Sequence, residues 1–113
     1  MIIEKKVIKK PWGHEIIWAQ TDNYAGKILV INAQQRLSKQ YHEQKEETIY
    51  VLSGELTIET EEENIKITTG QSFHIKPKNI HRFCAYNGAV EIVEVSTPEL
   101  QDVVRIEDDY KRI

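Results

Sequence analysis

Apolar and polar residues alternate along most of this chain with a repeat of two. That is the period of a strand with one face in a core and the other in solvent. The alternating positions are rich in β-branched residues, which fit a pleated, half-buried surface. The pattern predicts ten strands, over 2–8, 15–18, 27–32, 37–42, 47–53, 55–60, 64–68, 72–75, 81–86 and 90–96. Turn residues separate them: Ser53-Gly54, the acidic run from Glu61 to Asn64, Thr69-Gly70, Pro77-Lys78-Asn79 and Asn87-Gly88. The last is the sharpest hairpin signal, because both residues tolerate positive φ. Helical period is confined to 99–104, after Pro98, where one helical turn is expected. The segment 102–113, DVVRIEDDYKRI, reads as a surface extension. Many short strands with regular turns predict an all-β sandwich or barrel.

Length and composition narrow the picture. A chain of 113 residues suits one domain, 1–113, with a single modest core. Hydrophobic residues at 40% and charged residues at 29% predict a globular protein. A net charge of −3 gives no reason to expect a nucleic-acid partner. No apolar run approaches the ~18 residues of a membrane span. The opening MIIEKKVIKK lacks the apolar core of a signal peptide. Cys84 has no second cysteine to pair with, so a cytoplasmic setting is expected. The Glu61–Glu63 run reads as a solvated hairpin tip.

The stretch RLSKQYHEQKEETIYVLSGE, 36–55, holds the candidate chemistry. Gln40 and His42 are two apart on a strand and project to one face. The loop 43–46 lets the chain reverse, so that Glu47 can face the same interior point. An amide oxygen, an imidazole nitrogen and a carboxylate together suit a divalent metal ion, zinc first, with manganese, iron, cobalt or nickel also compatible. His81 opens a strand after the Pro77 turn and offers a fourth ligand. Taken singly, each of the four reads as an ordinary polar residue. Their spacing makes them a set.

Those spacings resemble the two motifs of the cupin superfamily. Gln40-x-His42-x4-Glu47, followed by TIYVLSGEL, matches the first; GQSFHIKPKNIHRF, with Gly70 and His81, matches the second. The resemblance implies a cupin-type double-stranded β-helix, a small jelly-roll barrel of two antiparallel sheets. Gln40 replaces the usual first histidine, and Lys78 stands where glycine is common. Glutamine within L-S-x-Q-x-H is similar to the phosphomannose isomerases. It is also like the isomerase domain at the C-terminus of mannose-1-phosphate guanylyltransferases. KKPWGHEIIW, RLSKQYH and VVRIEDDYKR look like further segments of that family, so the likeness runs from Lys10 to Arg112. No nucleotidyltransferase domain is present in these residues, so that activity is not implied. Lys10 takes the place of an arginine common before Pro-Trp-Gly, and Glu43-Gln44-Lys45 the place of a loop commonly rich in histidine.

The resemblance implies a metal-dependent sugar or sugar-phosphate isomerase that interconverts aldose and ketose in carbohydrate biosynthesis. A noncatalytic cupin binding a sugar or other small ligand is the alternative, and a metal-dependent dioxygenase ranks third. Glu43, Lys45 and His74 are candidates for a base, and the catalytic residue stays unassigned. For a substrate phosphate the cations are Lys10, Arg36, Lys39, Lys76, Lys78 and Arg82. Arg36 shares strand parity with Gln40 and His42 and is expected in the cavity, where its planar fork suits phosphate. Lys39 has the opposite parity and should face outward. Trp12 and Trp18 read as core or interface packing, or as platforms stacking on a sugar, with Trp12 near the barrel mouth. Ile49, Val51, Phe83 and Ala85 should point inward, and Cys84 reads as a structural thiol. The N-terminal strand has the length to extend another sheet edge, so a homodimer is expected.

Overall fold

Alternation becomes two sheets facing each other across one core. The computed structural model describes residues 1–113 as eleven strands with no helix. In order they are β1 (Lys6–Lys10), β2 (Gly13–Gln20), β3 (Ala25–Ile31), β4 (Lys39–Tyr41), β5 (Glu47–Ser53) and β6 (Glu55–Thr60). Then come β7 (Asn64–Thr68), β8 (Ser72–Ile75), β9 (His81–Cys84), β10 (Val90–Ser96) and β11 (Val104–Glu107). One sheet has the order β1-β2-β3-β10-β5-β8, the other β11-β4-β9-β6-β7, and every pairing is antiparallel. The strand pattern predicts a sandwich or barrel, and the architecture is the jelly-roll that the cupin resemblance implies.

Period two decides what lies inside. On β3, β5 and β10 the inward positions are Leu29, Ile31, Ile49, Val51, Val90 and Ile92, all buried. Leu56, Ile58 and Phe83 meet them from the other sheet in one cluster. Each such side chain contributes about 1.5–3 kcal/mol when fully buried. Trp12 joins this cluster at 3% exposure. The glycine after it is required by close approach: a Cβ at Gly13 would lie 2.0 Å from the Val30 carbonyl oxygen.

Five strands keep their expected bounds, and the others shift at their ends. The first begins at Lys6 rather than residue 2. The segment 37–42 is a strand only over Lys39–Tyr41, and the one from 81 ends at Cys84. The largest differences lie past residue 96. No helical turn forms over 99–104; a hydrogen-bonded turn there leads into β11, which pairs with β4. The supposed surface extension is therefore a structural edge. Asp109 binds Arg36 and Arg82, and the Tyr110 hydroxyl donates to Gln35 Oε1 at 2.6 Å.

Candidate metal centre

Three strand ends converge inside the sandwich. Glu47 starts β5 on its inward parity, His81 starts β9, and His42 directly follows β4. All three side chains are buried, at 2%, 2% and 3% exposure respectively. One ligating atom from each lies within 4.8 Å of the others. His42 Nε2 is 3.6 Å from Glu47 Oε2, and His81 Nε2 is 3.6 Å from Glu47 Oε1.

The far side of each ring fixes which nitrogen faces the centre. His42 Nδ1 lies 2.5 Å from the Asp102 carbonyl oxygen, and His81 Nδ1 lies 2.8 Å from that of Asn79. A carbonyl only accepts, so Nδ1 carries the proton in both rings and donates it. Nε2 then presents its lone pair to Glu47. Burial pushes the His42 imidazole down to about 4, helped by the Lys45 charge, and burial also lowers His81. Both rings are therefore neutral at pH 7, the form that binds a metal.

Two imidazole nitrogens face the Glu47 carboxylate here without hydrogen-bond partners: His42 Nε2 and His81 Nε2. A buried orphan costs about 1–3 kcal/mol, more when charged. One divalent cation would satisfy both, with Glu47 as its anionic ligand. Ligands at about 2.0–2.2 Å from a tetrahedral ion are about 3.3–3.6 Å apart, close to the imidazole–carboxylate spacings. The residues fit a divalent ion by donor type, protonation and separation.

Lys45 reaches into the same place from the 43–46 loop. Its Nζ forms ion pairs of 2.9 Å with Glu47 Oε2 and with Glu94 Oε2, and it is 4% exposed. Burial alone would lower its pKa, but Glu94 and Glu47 outweigh burial and hold it above the usual lysine range. Burial, with Glu47 next, raises the Glu94 carboxyl. Glu94 escaped the sequence reading. Its signal was a carboxylate on the inward parity of a strand, between Ile92 and Ser96.

Gln40 lines the cavity beside His42, with its Oε1 accepting from Ser38 Oγ at 2.7 Å. The cavity has a volume of about 90 Å³. Trp12 and Lys10 also line it, Lys10 with one long ion pair to Glu15, 3.9 Å. Arg36 does not. Its guanidinium donates to both oxygens of Asp109, at 2.7 and 3.0 Å, and to the Tyr86 hydroxyl. Counting by twos from Gln40 back to Arg36 fails because the strand is broken: Arg36 sits in an isolated bridge with Cys84, and β4 starts only at Lys39. His74 is exposed and pairs with Glu46 at 2.5 Å, away from the cavity. Glu43 is exposed as well, while Lys39 is half-exposed beside Glu107. Lys78 adopts a φ of 69°, which explains why glycine suits that position.

The last segment supplies the remaining wall. Asp102 accepts the backbone N–H groups of Glu43, Gln44 and Lys45, fixing the loop that carries Lys45. Leu100, Val103, Arg105 and Arg112 line the cavity.

The family model described as mannose-6-phosphate isomerase C-terminal matches residues 2–108. Over 110 residues the chain is 28% identical to the alginate biosynthesis protein AlgA of Pseudomonas aeruginosa, covering 93% of this chain and 23% of that protein. Over 91 residues it is 29% identical to a quercetin 2,3-dioxygenase of Bacillus subtilis, covering 77% of this chain and 27% of that one. The chain thus spans about a quarter of the length of these curated relatives. Among solved structures, KdgF from Halomonas superposes with a TM-score of 0.77 at 17% identity, covering 88% of this chain and 91% of that one. A cupin described as RmlC-like, from Shewanella frigidimarina, gives 0.77 at 13% identity, with 87% of each chain covered. The double-stranded β-helix is common to them.

Proposed function

Because the chain belongs to the mannose-6-phosphate isomerase C-terminal family of cupins, we propose that it is a metal-dependent isomerase of a sugar or sugar phosphate. The observation that carries this reading is the pair of buried, unpartnered imidazole nitrogens facing Glu47. His42, Glu47 and His81 would hold the ion, with Gln40 as fourth ligand. The Gln40 amide oxygen has a second lone pair beyond the one taken by Ser38. A divalent ion there, zinc first, supplies polarisation of a sugar carbonyl and its neighbouring hydroxyl.

The chain's own residues do the rest. Asp102 and Asn79 hold the two rings in one tautomer. Trp12 and Leu37 exclude water from one side of the cavity. Lys45 pairs with both Glu47 and Glu94 and offsets part of the cost of burying the two carboxylates together. A sugar phosphate is larger than 90 Å³, so it enters by displacing water and moving Lys10 and Arg112, whose side chains are 28% and 23% exposed.

A second reading, a cupin that binds a sugar without turning it over, is favoured by one fact. Glu15, Glu47 and Glu94, the carboxylates of the cavity, are all paired with lysine, leaving no free base. A coupled assay interconverting mannose 6-phosphate and fructose 6-phosphate decides between them. Turnover that appears with a divalent ion and vanishes in His42→Ala supports the isomerase. Binding without turnover, across a panel of divalent ions and sugar phosphates, defeats it. Oxygen uptake in the presence of iron would favour a dioxygenase instead.

We also expect a cytoplasmic homodimer. β1 leaves one edge of the six-stranded sheet open to strand addition. A monomer in sedimentation would count against the dimer.

A further inference from the structure

Five cations line the cavity, and one of them has no counter-ion. Lys27 pairs with Glu15 at 3.4 Å, and Lys45 is held between Glu47 and Glu94. Lys10 has its single long pair to Glu15, and Arg112 is tied to Asp108 outside the cavity wall. Arg105 has neither an ion pair nor a side-chain hydrogen bond, and its Nε is buried.

Register explains how Arg105 comes to be there. It is the cross-strand partner of Gln40 in the β11–β4 pair. Directly paired residues project from the same face of a sheet, so Arg105 stands beside Gln40 on the cavity side. A bulge follows, between Arg105 and Glu107, so the alternation does not carry past it. A guanidinium with its Nε orphaned against a wall of the same cavity as the metal ligands is half of a recognition pair.

We propose that Arg105, flanked by Lys10 and Arg112, binds the anionic group of the ligand, a phosphate monoester or a carboxylate carried by a sugar. This rests on the isomerase reading only in taking the ligand to be a sugar. The donor fork of arginine matches either oxyanion with two parallel hydrogen bonds. The formal charge of the cavity supports the same ligand. Its five cations outnumber Glu15, Glu47 and Glu94, although the whole chain carries −3. A neutral sugar would leave Arg105 without a counter-ion and its buried Nε without a partner.

Calorimetric titration of the full chain tests this, with zinc-loaded and chelator-treated protein. The probes are inorganic phosphate, mannose 6-phosphate, mannuronate and mannose. The anions are expected to bind in both states and mannose at least about tenfold more weakly. Arg105→Gln should weaken the anions by about tenfold or more and leave mannose unchanged. Arg105→Lys should fall between, and Lys66→Gln, on the exposed face of β7, should match the unaltered protein. Thermal melts of the Gln and Lys variants report whether each folds. Tighter binding of mannose 6-phosphate assigns a phosphate, and tighter binding of mannuronate a carboxylate. The proposal is overturned if the unaltered protein binds no anion, or if a folded Arg105→Gln binds anions as before. Anion binding lost in the variant, with turnover never seen, keeps this subsite and sinks the isomerase. Turnover with an unchanged KM in Arg105→Gln does the reverse.

Discussion

His42 donates from Nδ1 to the main-chain oxygen of Asp102, 2.5 Å away and sixty residues further along the chain. The same Asp102 uses its carboxylate to hold the backbone of residues 43–45. One residue therefore orients an imidazole and positions the loop that places Lys45. The strand that follows it brings Arg105 to the cavity. The centre and its wall are a single construction.

Removing either ring should release the ion. In His42→Ala and His81→Ala, affinity for zinc is expected to fall by about 100-fold or more, since losing even a group that only hydrogen-bonds to a ligand costs about 10–100-fold. Metal analysis after equilibration in a buffered chelator measures it. Retention of stoichiometric zinc in both variants would show that the ion is held elsewhere.

Lys45→Met should destabilise the metal-free protein by about 3–5 kcal/mol, because Glu47 and Glu94 lose their shared cation while still buried. Added zinc should recover part of this by neutralising Glu47. Urea unfolding with and without chelator gives both values. Equal losses in the two conditions would mean that the lysine and the ion act at separate places.

Asp108 makes an acid-sensitive contribution. Hydrogen bonds from Arg112 hold its carboxyl down at about 2, below the ordinary 3.8, and its side chain is buried. Between those two values the unfolded chain binds more protons than the folded one. The stabilisation is therefore complete above about pH 4 and disappears as pH falls through 2. Asp108→Asn should cost about 2 kcal/mol at pH 7, with the difference from the unaltered protein narrowing below pH 4. Unfolding curves across pH 2–7 test it, and a difference independent of pH would remove the electrostatic cause.

Lys78→Gly should stabilise the protein by about 0.5–1 kcal/mol. Relief of the left-handed backbone, about 1–2 kcal/mol, outweighs the extra chain entropy of glycine. The Lys78 N–H to the His42 carbonyl, 2.6 Å, is kept because it belongs to the backbone. A lower melting temperature in this variant would show that the lysine side chain has its own stabilising role.

Much of the architecture was readable because burial and alternation are tightly coupled in a sandwich. Glu47, Ile49 and Val51 face one way for the reason that Ile92 and Glu94 do. His42 and His81 were found by spacing, because each lies at the junction of a strand and a turn. Arg36 was misplaced because its parity was counted across a chain that is not a continuous strand. Arg105 and Asp102 were missed for a different cause. Their positions depend on β11 pairing with β4, a contact between segments more than sixty residues apart that no local pattern encodes.

The order of synthesis gives that long-range pairing a temporal meaning. A nascent chain that has cleared the ribosome through β10 already contains His42, Glu47 and His81, but not the carbonyl that aims the first of them. It also lacks the edge strand beside Gln40. A divalent ion met at that stage would find the His42 ring still able to turn.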